Sequence, residues 1–247
     1  MIDIQKLHVS VTWTDKQILN WISLNFEKWK NYCLLGKNGS GKSTLSSVLA
    51  WSPKYSIDSG SITIDKQDLL TMSPEERSAA WVFLTFQNVP EIPWIKLSEY
   101  LRTIYNIHLK RNNPETRELS PFLFKRFIKK ILQDLEIDEK FLDRDLNVWF
   151  SGWEKRKLEI LQIKLINPSY IILDEIDSGL DLDAFRQVAQ MLQGLNNWEN
   201  SLIIITHYFK ILEYIDVDEV HIMRDGNIAE SWGKELVEGV IVNGFGK

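Results

Sequence analysis

The run Gly36-Lys37-Asn38-Gly39-Ser40-Gly41-Lys42-Ser43, followed by Thr44, fits G-x-x-x-x-G-K-[S/T]. The chemistry explains the residue types. Glycines let the backbone curl until its N–H groups point inward at phosphate oxygens. A helix beginning at Lys42 adds its positive N-terminal end. Lys42 would reach the β- and γ-phosphates of a nucleotide such as ATP, and the Ser43 hydroxyl would ligate Mg²⁺. The pattern requires a strand before it and a helix after it, and the apolar run Tyr32–Leu35 supplies the strand.

Asp174 and Glu175 follow a second apolar run, Tyr170–Leu173. A carboxylate at the C-terminal end of a buried strand beside a phosphate loop can hold Mg²⁺, which assigns that role to Asp174. Glu175 can polarise an attacking water as general base. Two acidic residues at a strand end are by themselves more often solvated surface; the phosphate loop tips the reading. Four weaker signals accompany the pair. Gln87 ends the run Trp81–Phe86, and Ser151-Gly152-Trp153-Glu154 lies upstream of Asp174. Ser178-Gly179-Leu180-Asp181 follows Glu175, and Thr206-His207 closes the run Leu202–Ile205. A lone Gln, Ser-Gly or His is usually structural. Here the order and spacing of the set carry the argument.

The elements that must position these residues are legible in the hydrophobic pattern. Leu7–Val11 and Ile18–Phe26 read as strands around a polar turn at Thr14-Asp15-Lys16. A helix is expected from about Lys42 to Leu49, and Ile62 and Ile64 alternate as in a strand. From about Asn88 to Asn147 the chain becomes helix-rich. Phe124, Phe127, Ile128, Ile131, Leu132 and Leu135 follow the spacing of a helix packed on neighbours. After Ser151, helices alternate with continuous apolar runs of the kind found in central parallel strands, so an α/β core is expected.

Composition excludes several classes. The 247 residues suit one compact α/β unit, and a formal charge of −5 gives no general pull towards nucleic acid or an anionic membrane. The cluster Lys125, Arg126, Lys129, Lys130 reads as a solvated helix face. A single cysteine, Cys33, rules out a disulfide framework or a cluster ligated within one chain, and its apolar surroundings suggest a buried thiol. With no signal-peptide pattern and no long apolar stretch, a cytoplasmic protein without membrane insertion is expected.

Taken together, these motifs resemble the ATP-binding-cassette (ABC) ATPases over essentially the whole chain. The resemblance implies a single ABC-type nucleotide-binding domain over residues 1–247. It would have a RecA-like mixed-sheet core, N-terminal antiparallel strands and an inserted helical subdomain at about 88–165. It makes Gln87 a link between Mg²⁺, the attacking water and the helical subdomain. Ser151 and Gly152 would open the signature motif that caps the γ-phosphate held by the opposite protomer. Asp174 and Glu175 would be the Mg²⁺ and general-base pair, Ser178–Asp181 a loop at the dimer seam, and His207 a switch histidine. ATP and Mg²⁺ are the implied cofactors, and a transient ATP-driven homodimer the implied working state. Finer strings are similar to the SufC family, which serves iron–sulfur cluster assembly: Phe86-Gln87-Asn88-Val89-Pro90-Glu91-Ile92-Pro93, Asp174-Glu175-Ile176-Asp177-Ser178-Gly179-Leu180-Asp181, Thr206-His207-Tyr208 with Ile211–Ile215, and Glu154 in the signature. That resemblance implies SufB/SufD-type scaffold proteins as partners. Two other functions stay open: the nucleotide-binding subunit of a membrane transporter, and a non-hydrolysing nucleotide-binding scaffold.

The chain departs from the family pattern in its ten tryptophans. Trp153 stands for the second glycine of the signature motif, and Trp94 for a glycine after Glu91-Ile92-Pro93. Trp51 ends the phosphate-loop helix, where a glycine cap is expected. Trp29 and Trp198 fall in polar turns. Turns and caps want residues that tolerate φ > 0, whereas Trp favours strands and cores. Either the enzyme is a divergent one with bulky substitutions, or the written sequence mistranslates UGA, a codon some bacterial lineages read as glycine. The second reading is expected here, because one residue type fills so many glycine-like slots. Trp13 lies where a nucleotide-stacking aromatic would be expected and could belong to the same set.

Overall fold

Apolar residues alternate from Ile2 onward because this stretch is β1 (Ile2–Val11), with Ile2, Ile4, Leu7 and Val9 all buried. The alternation slips once, at Lys6 (φ 48°), where β1 carries an extra residue against β2 (Gln17–Phe26). The bulge returns Leu7 and Val9 to the buried face. A turn leads to β3 (Tyr32–Leu35), buried at every position, then to the glycine-rich loop and α1 (Lys42–Ala50). The chain continues through β4 (Tyr55–Ile64), β5 (Gln67–Asp68), α2 (Pro74–Ala79) and β6 (Val82–Thr85). Next come β7 (Ile92–Lys96), α3 (Leu97–Asn112), α4 (Pro121–Asp134), β8 (Asp145–Leu146) and α5 (Gly152–Ile166). The last elements are β9 (Tyr170–Asp174), α6 (Leu182–Gln193), β10 (Ser201–Thr206), β11 (Glu219–Arg224) and β12 (Asn227–Gly233). This computed structural model describes residues 1–79, 82–85, 89–176, 182–195, 200–207 and 212–233.

Two compact units emerge. The first comprises Met1–Thr85, Ser169–Asp177 and Asn196–Lys247. It contains an antiparallel sheet in the order β2-β1-β4-β5 and a six-stranded sheet in the order β12-β11-β3-β10-β9-β6. In the larger sheet β11, β3, β10, β9 and β6 are parallel and β12 is antiparallel. The mixed α/β sheet and the N-terminal antiparallel strands agree with the expectation from sequence. Residues of β1, β2 and β4 share one core with β3, β9, β10 and α1, including Phe26, Tyr32, Leu45, Ile62, Tyr170 and Ile203. Strands β3, β9 and β10 are buried on both faces, which is why they read as unbroken apolar runs.

The second unit comprises Phe86–Pro168 and Ser178–Leu195 and is mainly helical. Ser120 caps α4, with Pro121 in the first turn. Phe124, Ile128 and Leu132 of α4 are buried as the spacing predicts. Phe127 is not; it lies exposed, stacked on Tyr105 at 4.6 Å between ring centroids. Lys125, Arg126, Lys129 and Lys130 face solvent, and Lys129 pairs with Glu139 at 3.2 Å. No helix among the described residues is long and apolar enough to cross a membrane.

Candidate functional site

Register alignment brings the chemistry to one end of the six-stranded sheet. Leu34 pairs with Ile205, which pairs with Asp174; Leu35 pairs with Thr206, and Thr85 with Leu173. The C-terminal ends of β3, β10, β9 and β6 therefore finish together, the place where α/β sheets bind ligands.

The phosphate loop leaves β3 there. A Cβ on Gly36 would collide with the Met223 carbonyl oxygen, so only glycine fits at the strand exit. Gly41 caps α1 at φ 106°, a conformation closed to other residues, and no side chain caps the helix. The first N–H groups of α1 are left for a ligand, and the helix dipole favours an anion there. Ser40 Oγ is buried with no hydrogen-bond partner among the described residues. Its carbonyl accepts from Gly226 N at 3.0 Å, which ties the loop to the β11–β12 turn. Lys42 is buried, and its Nζ donates to the Gly36 and Lys37 carbonyls at 2.8 and 3.1 Å. Burial pushes its pKa down, against the pull of Glu175 and Asp174.

Asp174 is the junction of the site. Ser43 Oγ donates to its Oδ1 at 3.1 Å and Ser46 Oγ to its Oδ2 at 2.8 Å. Its backbone N–H donates to Thr85 Oγ1 at 3.1 Å. Burial raises the Asp174 pKa; the two serine hydrogen bonds and Lys42 oppose the shift, and Glu175 adds to it. Glu175 leaves the strand at φ 48°, its N–H bonded to the Ile205 carbonyl at 2.9 Å. Its Oε1 lies 3.7 Å from His207 Nδ1.

Lys42, Ser43, Asp174, Glu175 and His207 thus share one end of the first unit. Two residues beside them, Ser46 and Thr85, escaped the sequence reading. Ser46 lies three residues after Ser43, on the same helical face, and Thr85 is the polar end of an apolar strand; both signals were present. Gln87 and Ser178–Asp181 lie outside the described residues, as do Trp198, Tyr208 and Ile211.

Ser151 and Gly152 belong to the second unit, at the start of α5. Ser151 Oγ accepts from Glu154 N at 3.2 Å, and Glu154 Oε2 accepts from Ser151 N at 2.7 Å. This capping box fixes the helix start and accounts for Glu154 without reference to any ligand. Gly152 is exposed, with open space where a Cβ would stand. The Trp153 ring is half-buried, with Lys157 Nζ 4.9 Å from its centroid.

The model of the ABC transporter family matches residues 19–178. The chain is 41% identical to a protein of Antithamnion named probable ATP-dependent transporter ycf16, over 95% of this chain and 92% of that one. It is 39% identical to an Escherichia coli protein named probable ATP-dependent transporter SufC, over 100% and 98%. It is 37% identical to a Plasmodium falciparum protein named iron-sulfur cluster assembly protein SufC, over 99% and 70%. Among solved structures, a dimeric ATP-binding cassette in a post-hydrolysis state with ADP and Pi matches with a TM-score of 0.76. It is 18% identical over 94% of this chain and 98% of that one, a likeness of fold.

Proposed function

The chain belongs to the ABC transporter family and is an ABC ATPase with a SufC-like sequence, and from that premise we propose that it drives iron–sulfur cluster assembly on a SufB/SufD-type scaffold in the cytoplasm. The observation that carries this reading is the match to the Plasmodium falciparum protein named iron-sulfur cluster assembly protein SufC, 37% identical over 99% of this chain and 70% of that one. The single buried cysteine fits such a division of labour, since the cluster ligands would then lie on the scaffold.

ATP would sit with its phosphates in the loop Gly36–Thr44, against the uncapped start of α1. Lys42 exchanges its two carbonyl partners for β- and γ-phosphate oxygens. Ser43 Oγ and Asp174 are adjacent hard oxygen donors and suit Mg²⁺; Gln87 completes the proposed set. When bound there, Mg²⁺ would neutralise charge on the terminal phosphates. Glu175 takes the proton of the attacking water, and His207 beside it holds that carboxylate and the γ-phosphate in place. Ser151 and Gly152 of a second protomer would cover the γ-phosphate, as expected of an ATP-driven homodimer. Ordering of the dimer by ATP and its release by hydrolysis is the motion passed to the scaffold.

The test is purification of the protein from its native cells, with mass spectrometry of what accompanies it. Scaffold proteins of the SufB/SufD type are the expected companions. An integral membrane permease in their place would make this a transporter ATPase and overturn the assembly role.

A further inference from the structure

Tryptophan is among the residues with most apolar surface to bury. None of the eight described tryptophans, all but Trp81 and Trp198, is in the buried core. Trp94 is 90% and Trp149 87% exposed, and Trp13, Trp21, Trp29 and Trp51 are exposed as well. Their backbone is more telling. Trp21, Trp29, Trp51, Trp94 and Trp149 have φ of 52°, 68°, 74°, 68° and 58°. A bulky side chain at positive φ is a steric outlier, and glycine is the residue that adopts such angles freely. Among the described residues no phenylalanine or tyrosine has a positive φ, so aromatic bulk as such does not explain the pattern.

The local backbone at each of the five sites suits glycine. At Trp21, β2 has one residue more than β1 between the pairs Leu7–Ile22 and Val9–Leu19. A bulge whose extra residue is left-handed calls for glycine. Trp29 lies in the turn between β2 and β3. Trp51 caps the C-terminus of α1 at ψ 111°, outside the left-handed helical well, with its N–H on the Val48 carbonyl. Trp94 lies in an irregular step of β7, its N–H on Asp145 Oδ2 at 3.0 Å. Trp149 ends the turn after β8, its carbonyl accepting from Arg144 at 2.8 Å. The backbone at all five is engaged or sharply bent while the ring projects outward.

We propose that the protein made in its own cells carries glycine at positions 21, 29, 51, 94 and 149, its UGA codons being read as glycine and rendered as tryptophan in the written sequence. The rule extends to residue 153, where a glycine would remove the ring at the start of α5, directly after Ser151 and Gly152. This extension rests on the ATPase reading; the five positive-φ sites do not.

The test has two parts. The gene gives the codons, and tryptic peptides of the protein from its native cells give the residues. UGA at all five positions, with peptides of glycine mass, is the expected result. UGG codons, or peptides of tryptophan mass, overturn the proposal. The peptide Asp145–Lys155 reports residues 149 and 153 together. Glycine at 149 with tryptophan at 153 would end the extension alone, leaving the partner test above untouched. In recombinant full-length chains, the fivefold Trp→Gly variant should melt roughly 10 °C higher than the chain as written. An equal or lower melting temperature would overturn the backbone argument for glycine at these sites.

Discussion

Ser46 Oγ donates to Asp174 Oδ2 at 2.8 Å, one turn of α1 beyond the bond from Ser43 Oγ to Oδ1 at 3.1 Å. Two hydroxyls on one helical face therefore set the plane of a single carboxylate on a strand. If Ser43 and Asp174 hold Mg²⁺, Ser46 is a positioning residue behind them. Ser46→Ala should raise the Mg²⁺ concentration needed for half-maximal ATPase by about 10- to 100-fold, the range for lost outer partners of metal ligands. Ser46→Thr, which keeps the hydroxyl, should restore most of it. An unchanged Mg²⁺ profile in Ser46→Ala would show that the bond is only structural.

Glu175→Gln should keep nucleotide binding and lose hydrolysis by about 10²- to 10⁴-fold, the usual worth of a general base. ATP should then hold the variant as a dimer, visible by light scattering during size-exclusion chromatography. A variant that hydrolyses ATP normally would remove Glu175 from the proposed role.

Burial raises the pKa of Asp174 above its ordinary value of 3.8. The charged form is therefore less favoured in the fold than in the unfolded chain. The favourable contribution is complete below the unfolded value and lost as pH rises through the folded one, so at neutral pH the carboxylate is a stability cost. Asp174→Asn should gain on the order of 1 kcal/mol at pH 7 while abolishing ATPase, and the gain should shrink in acid. Thermal melts at pH 7 and in mild acid measure this. A variant less stable at pH 7 would contradict the account.

His221 has the opposite sign. It is buried on β11, stacked on Tyr32 with ring centroids 6.0 Å apart and edge-on to Phe26, with Nδ1 2.9 Å from Ser231 Oγ. Burial lowers its pKa from the ordinary 6.5, against a smaller pull from Glu219. Stability from this group is present at neutral pH and is lost as pH falls through 6.5 towards the folded value. His108, also lowered by burial, adds to the same slope. His221→Gln should flatten the melting temperature below pH 6.5, and an unaltered slope would exclude His221 as its source.

The sheet and phosphate loop were legible because central strands advertise themselves. Tyr32–Leu35, Tyr170–Leu173 and Leu202–Ile205 have no polar residue to interrupt them, and the loop's glycines are demanded by Gly36 at the strand exit and Gly41 at the helix cap. The bulges were not. One sits at Lys6 and another at Trp21, where the written residue disguises the signal a glycine would have given. Phe127 illustrates another limit: spacing puts it on the packed face of α4, but its ring turns outward onto Tyr105. Ser46 went unread because its role depends on a partner 128 residues away, a distance that periodicity cannot bridge.

Cys33 lies inside β3, fully buried, with Ile204 on one neighbouring strand and Val220 on the other. A thiol reagent can reach it only when the middle of the sheet parts. The rate at which the native protein is alkylated is therefore a clock for that opening, with no probe introduced. The phosphate loop begins three residues further along the chain, so nucleotide should slow the clock, and the ratio of the two rates would weigh how far ligand binding stiffens the heart of the molecule.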